Sequence, residues 1–71
     1  MHYKGIHLWT LLGHLYYKIK NIGEAKQAYE TAISLGASKD ALLYLRLGSI
    51  YLQMEMFEDA KNSYLNAAKV L

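Results

Sequence analysis

The chain has 71 residues, a formal net charge of +2, and neither cysteine nor proline. This length allows one domain, close to the lower limit at which a chain buries enough surface to fold alone. The lack of cysteine excludes disulfides and thiolate metal sites and suits a reducing compartment, and the small charge, scattered along the chain, gives no reason to expect nucleic acid as a partner.

The first predicted helix spans residues 6–19, and its side chains divide into a core arc and two flanks. Trp9, Leu12, Gly13 and Tyr16 lie within one narrow arc at about 100° per residue, which we take as the core of a helical hairpin. One flank is wholly apolar, whereas the other mixes polar and aromatic side chains. The apolar flank consists of Leu8, Leu11, Leu15 and Ile19, and the mixed flank of His7, Thr10, His14, Tyr17 and Lys18.

The second predicted helix spans residues 24–35, after a turn at residues 20–23. Ala25, Tyr29 and Ala32 recur at i, i+4 and i+7, so they form one stripe on its surface. We expect Gly13 of the first helix to face Ala25 and Ala32, with small side chains allowing a close approach. Gly36 is predicted to end the second helix in the left-handed conformation, which glycine adopts without steric cost.

The third predicted helix begins after Ser38 and runs to about Met54. Ser38 is predicted to cap it, with Asp40 in its first turn at the positive end of the helix dipole. The fourth helix carries Glu58 and Asp59 in its first turn and runs to the chain end. Helical spacing throughout, with little strand-like alternation, predicts an all-α fold.

The third and fourth helices repeat the first and second at a distance of 35 residues. When residues 41–71 are placed on residues 6–36, eight positions are identical. Most of them fall on the two stripes described above, and near matches such as Trp9 with Tyr44 extend the pattern. The identical pairs are Leu8/Leu43, Leu12/Leu47, Gly13/Gly48, Tyr16/Tyr51, Ala25/Ala60, Lys26/Lys61, Tyr29/Tyr64 and Ala32/Ala67.

This spacing, Trp-x2-Leu-Gly-x2-Tyr followed by Ala-x3-Tyr-x2-Ala, resembles the tetratricopeptide repeat. The resemblance implies four antiparallel helices arranged as two tandem hairpins, a fragment of an α-solenoid with a right-handed superhelix. It also implies a single domain over residues 1–71, with repeat one at about 6–40 and repeat two at about 41–71. Two departures are a period of 35 instead of 34 and Ala37 where the family often carries proline.

A second resemblance concerns the repeat over residues 44–70, YLRLGSIYLQMEMFEDAKNSYLNAAKV. This run is similar to a repeat of the cilia- and flagella-associated tetratricopeptide proteins of the axoneme. It implies a location in the cilium, as the alternative to the cytoplasmic location that the lack of a signal peptide and of a membrane-spanning run predicts.

The sequence offers no converging groups for catalysis or for binding a cofactor or metal, and we expect none. His7 and His14 share a helix face but lie about 10 Å apart along the axis at 1.5 Å per residue, too far to chelate one ion. We interpret them, with His2, as solvated or groove-lining side chains. The acidic corner at Glu58 and Asp59 is interpreted as solvated and dipole-stabilising.

We therefore expect a non-catalytic scaffold that binds a protein or peptide. In tetratricopeptide arrays the first helix of each repeat lines a concave surface, and the resemblance places the mixed flank of the first helix there. The third helix contributes the equivalent flank, which is mostly apolar and would suit a peptide with apolar anchors. The expected groove consists of His7, Thr10, His14, Tyr17, Lys18, Leu42, Leu45, Ser49, Leu52 and Gln53.

Self-association is the alternative function. About three repeats are usually needed for stability, whereas the sequence has two and no polar capping helix. The face of the fourth helix with Tyr64, Ala68 and Leu71 is therefore expected to be uncovered unless a longer array continues or copies of the chain stack on one another. The apolar flank of the first helix is open to the same interpretations.

Overall fold

A computed structural model describes residues 5–71 and contains four α-helices and no strand in that range. The helices are α1 at Ile6–Lys18, α2 at Ile22–Ser34, α3 at Ala41–Gln53 and α4 at Phe57–Val70. The expectation of an all-α fold is thus confirmed. His2 and the rest of residues 1–4 lie outside the described residues.

The helices form two compact units, divided between Ser38 and Lys39. In the first unit α1 packs on α2, and in the second α3 packs on α4. This division falls within two residues of the predicted boundary between the repeats. Whether the two units form one domain, with the helices antiparallel in a right-handed superhelix, stays a prediction.

Small side chains and one tyrosine make up the buried face of α2. Ala25, Ala28, Tyr29 and Ala32 are all buried, at the spacing predicted for that stripe. In α4 the buried residues are Ala60, Ser63 and Ala67, which are the equivalents of three of these four. The second helix of each unit therefore presents a smooth surface to its partner helix.

Gly13 of α1 faces the ring of Tyr29, which corrects the expectation that it faces Ala25 and Ala32. A Cβ atom added at Gly13 would lie 2.5 Å from Cδ1 and 2.6 Å from Cε1 of Tyr29. In the second unit a Cβ at Gly48 would lie 2.9 Å from Cε1 of Tyr64. Real Cβ atoms do not approach so closely, so each glycine makes room for a tyrosine ring and not for an alanine.

The buried arc of α1 is centred on Thr10 and Gly13, which corrects the predicted core arc. Trp9 remains 37% exposed, and Leu12 and Tyr16 are only half-buried. In α3 the arc agrees better with the prediction, because Tyr44, Leu47 and Gly48 are all buried. Equivalent positions in the two repeats are therefore not equally covered.

A Schellman turn ends α2, and a side-chain cap begins α3. At the end of α2 the N–H of Gly36 donates to the Ile33 carbonyl at 2.9 Å and that of Ala37 to the Ala32 carbonyl at 2.9 Å. This is the Schellman pattern, and Gly36 has φ 117°, so its predicted role is confirmed. Asp40, not Ser38, caps α3, because its carboxylate accepts from the Leu43 N–H at 3.1 Å.

Candidate functional site

The predicted surface of α3 consists of side chains that share one face of the helix. Leu42, Leu45, Ser49 and Leu52 lie at i, i+3, i+7 and i+10, within an arc of about 80° at 100° per residue. The three leucines are exposed, as is the adjacent Gln53, and Ser49 is half-buried. We call these five residues the α3 surface, and its three leucines form an exposed apolar stripe.

Charge is sparse on this stripe. Leu42, Leu45 and Leu52 are apolar, and the polar members, Ser49 and Gln53, are neutral. An apolar stripe with neutral polar positions favours a ligand that inserts apolar side chains, because a charged group placed there would lose solvation without gaining a partner.

The predicted residues of α1 are divided between exposed and buried positions. His7 and Lys18 are exposed, and His14 and Tyr17 are half-buried. Thr10 is buried, which corrects its assignment to an open groove. The reason is the rotation of the buried arc of α1 toward Thr10 and Gly13, which turns the mixed flank partly inward. The α1 and α3 residues lie in different units, and their union in one groove stays a prediction.

Each unit carries a polar link between its helices at equivalent positions, which the sequence analysis did not predict. His14 and Tyr29 share a hydrogen bond between Nδ1 and the hydroxyl, and their rings meet edge-on with centroids 5.2 Å apart. In the second unit the hydroxyls of Ser49 and Tyr64 lie 3.1 Å apart. Both pairs are separated by 15 residues. The 35-residue period relates the two pairs, so comparing polar residues across the repeat could have found them.

Two ion pairs lie on the surfaces of α2 and α4. Lys26 Nζ is 3.3 Å from a carboxylate oxygen of Glu30, and Lys61 Nζ is 2.9 Å from one of Glu58. Both join neighbouring turns of a single helix, so they support that helix. Within residues 5–71 no three His, Cys, Asp or Glu side chains are grouped so that they could hold a metal ion.

None of the four helices is long and apolar enough to cross a membrane, as far as the described residues extend.

Two consecutive helix pairs, each with a glycine on the first helix packed against a tyrosine of the second, define a helical-repeat protein. The family described as tetratricopeptide repeat matches residues 6–36 and 41–70, and the chain belongs to this family. Repeats of the family generally mediate protein–protein interaction and are not enzymes.

The relatives are much longer than this chain. Over 71 residues it is 44% identical to cilia- and flagella-associated protein 70 of Homo sapiens, a match that covers 97% of the chain and 6% of that protein. The protein of the same name from Macaca fascicularis is 44% identical over 54 residues, which is 72% of the chain and 5% of that protein. No solved structure matches.

Proposed function

We propose that the chain is a non-catalytic scaffold that binds a peptide or protein segment through the α3 surface. The observation that supports this is the exposed stripe of Leu42, Leu45 and Leu52, which has helical spacing. Three exposed leucines on one helix face form a contiguous apolar patch, and such patches commonly mark protein-interaction sites. The bound segment would insert apolar side chains between them.

Fewer of the α1 side chains are accessible to a partner than the sequence predicted. His7 and Lys18 are exposed, whereas Thr10 is buried. His14 and Tyr17 are half-buried, and His14 is already joined to Tyr29. We therefore propose that binding depends mainly on the leucines of the α3 surface.

Peptides selected from a displayed random library, measured by titration calorimetry, test the proposal. We expect the selected peptides to carry apolar anchors and to bind Leu45→Glu at least about tenfold more weakly, since tenfold corresponds to about 1.4 kcal/mol. Leu8→Glu is the matched control, because Leu8 is also exposed, at 54% against 41% for Leu45, but lies on the apolar flank of α1, outside the α3 surface. Equal binding to wild type and Leu45→Glu, with helicity unchanged in both, would rule out the α3 surface.

A second candidate function is self-association. Leu8, Leu11, Leu15 and Ile19, the apolar flank of α1, are all exposed, and so are Tyr64 and Leu71 on α4. Neither set belongs to the α3 surface, so peptide binding leaves them unexplained. Light scattering over a wide range of concentration tests this candidate, and a mass that stays monomeric throughout would exclude it.

We also propose a ciliary location for the protein. The relatives at 44% identity are named cilia- and flagella-associated, and the matched segment covers nearly the whole chain. Expression of the fluorescently tagged chain in ciliated cells tests this. Enrichment along the cilium is expected, and an even distribution through the cell body would favour the cytoplasmic alternative.

A further inference from the structure

Helix α1 exposes apolar side chains at positions that are completely buried in α3. Leu8 and Leu15 are 54% and 55% exposed, whereas their counterparts 35 residues later, Leu43 and Ile50, are 0% exposed. Exposed Leu11 and Ile19 lie between and beside them on the helix surface. Because Leu43 and Ile50 are fully buried, we infer that Leu8 and Leu15 can also be buried when another helix packs on α1. We call Leu8, Leu11, Leu15 and Ile19 the α1 face.

Helix α4 shows the same difference from α2. Tyr64 is 37% exposed and its counterpart Tyr29 is 0% exposed. The side chain of Lys61 is 61% exposed and that of Lys26 is 25% exposed. We call the residues that continue this row, Phe57, Lys61, Tyr64, Ala68 and Leu71, the α4 face, and all five are exposed. Their spacing of four, three, four and three residues places them on one side of the helix.

We propose that the α4 face of one copy packs on the α1 face of another copy, so that the chains associate head to tail. This proposal rests on the second candidate function and names its two surfaces. Helices α1 and α3 are equivalent by repeat, as are α2 and α4. The contact therefore brings together a second helix and a following first helix, the order in which repeats of this family stack on their neighbours.

The shapes of the two faces also favour pairing with each other over pairing of like with like. The α1 face has a large branched side chain at all four positions. The α4 face has the small Ala68 between the larger Tyr64 and Leu71, an alternation of large and small side chains on which the large side chains of another helix can pack. Two α1 faces would bring only large side chains together, because neither contains a small residue.

A head-to-tail contact uses one face of each chain and leaves the other face open. Such a heterologous contact continues into rows of copies, or closes into a ring, and does not stop at a dimer. The average mass of the wild-type chain is therefore expected to rise continuously with concentration.

Two variants that each remove one face test the proposal by sedimentation velocity. Leu15→Glu places a charge in the α1 face, and Ala68→Glu places one in the α4 face. Both positions are exposed, so the helices should be kept, which circular dichroism checks. Gln27→Glu is the control, because Gln27 is exposed on α2 outside both faces.

Each face variant alone is expected to be a monomer, and an equimolar mixture is expected to form a one-to-one dimer that grows no further. The reason is that the Leu15→Glu chain supplies only an α4 face and the Ala68→Glu chain only an α1 face. The Gln27→Glu control should associate like the wild type.

Two results would overturn the proposal in distinguishable ways. A wild-type chain that associates, together with a mixture that stays monomeric or a single-face variant that still dimerises, would refute the head-to-tail contact and keep self-association. A wild-type chain that stays monomeric would refute both. Peptide binding through the α3 surface would stand in either case.

Discussion

Gly13 and Tyr29 show why the same residue change should have different effects at the three glycines that lie within helices. A Cβ at Gly13 would overlap the ring of Tyr29, which is completely buried and hydrogen-bonded to His14. At Gly48 the overlap with Tyr64 is milder, and that ring is partly exposed. At Gly23 nothing lies within 4 Å of an added Cβ.

We therefore expect Gly13→Ala to lower the free energy of unfolding, Gly48→Ala to change it little and Gly23→Ala to raise it. Alanine gains about 1 kcal/mol over glycine inside a helix, whereas forcing a methyl group into a packed site costs about 1–3 kcal/mol. Gly23 is the second residue of α2, so alanine gains less there than in the middle of a helix, but no neighbouring atom opposes the added methyl group. Urea unfolding of the three variants measures this, and a Gly13→Ala variant as stable as Gly23→Ala would contradict the packing of Tyr29 on Gly13.

The hydroxyl groups of Tyr29 and Tyr64 allow a second comparison, because each makes the equivalent link in its own unit. We expect Tyr29→Phe to destabilise by about 1 kcal/mol, the typical net value of a hydrogen bond in a folded protein. Tyr64→Phe should cost less, since its bond to Ser49 is exposed and water can replace it. Thermal unfolding of both variants measures the difference, and equal losses would show that burial does not govern the strength of the link.

At the scale of the helices, α1 and α3 end in the same way despite different sequences. Lys20 has φ 67° and Glu55 has φ 61°, and each is followed by a Schellman hydrogen bond, from Asn21 to the Tyr16 carbonyl and from Met56 to the Tyr51 carbonyl. A left-handed residue with a side chain costs about 1–2 kcal/mol relative to the right-handed conformation. Both turns therefore contain strain that glycine would relieve.

Replacing Lys20 or Glu55 by glycine is expected to stabilise the protein. The relief of strain exceeds the added flexibility of the unfolded chain, which costs about 0.4–1 kcal/mol, so each melting temperature should rise by a few degrees. Lys18→Gly is the control, because Lys18 is the exposed last residue of α1 and does not have a positive φ, so glycine there should lose up to about 1 kcal/mol. If the melting temperature of Lys20→Gly fell as far as that of Lys18→Gly, the strain argument would be wrong.

These helix ends also show what the sequence could and could not predict. Apolar spacing predicted the four helices. The tolerance of glycine for the left-handed conformation predicted that Gly36 ends α2. Helix α2 starts at Ile22, two residues before the predicted start at Glu24. The reason is that Lys20 adopts the left-handed conformation, so Gly23 is not needed in the turn. Ser38 and Asp40 are both good caps, and propensity cannot choose between them.

At the scale of the whole molecule, the exposure of the residues assigned to the candidate site was predictable on α3 and less so on α1, and their role in binding stays a prediction. The leucines of α3 are exposed as expected, because their spacing alone places them on one face. Thr10 is buried, and hydropathy gives no signal that a hydroxyl residue belongs inside while Trp9 stays partly outside. Side-chain contacts that depend on how helices are rotated, such as His14 with Tyr29, are likewise invisible to a pattern of apolar residues.

Trp9 is an intrinsic fluorescent probe that reports on one of the two units. It is the sole tryptophan of the chain and lies in the first unit, partly exposed and next to Leu8 on α1. Its fluorescence therefore follows the first unit alone, whereas far-ultraviolet circular dichroism sums the helices of both. If the two units are one cooperative domain, the two signals should give the same denaturation midpoint, and separate midpoints would show that the hairpins unfold independently.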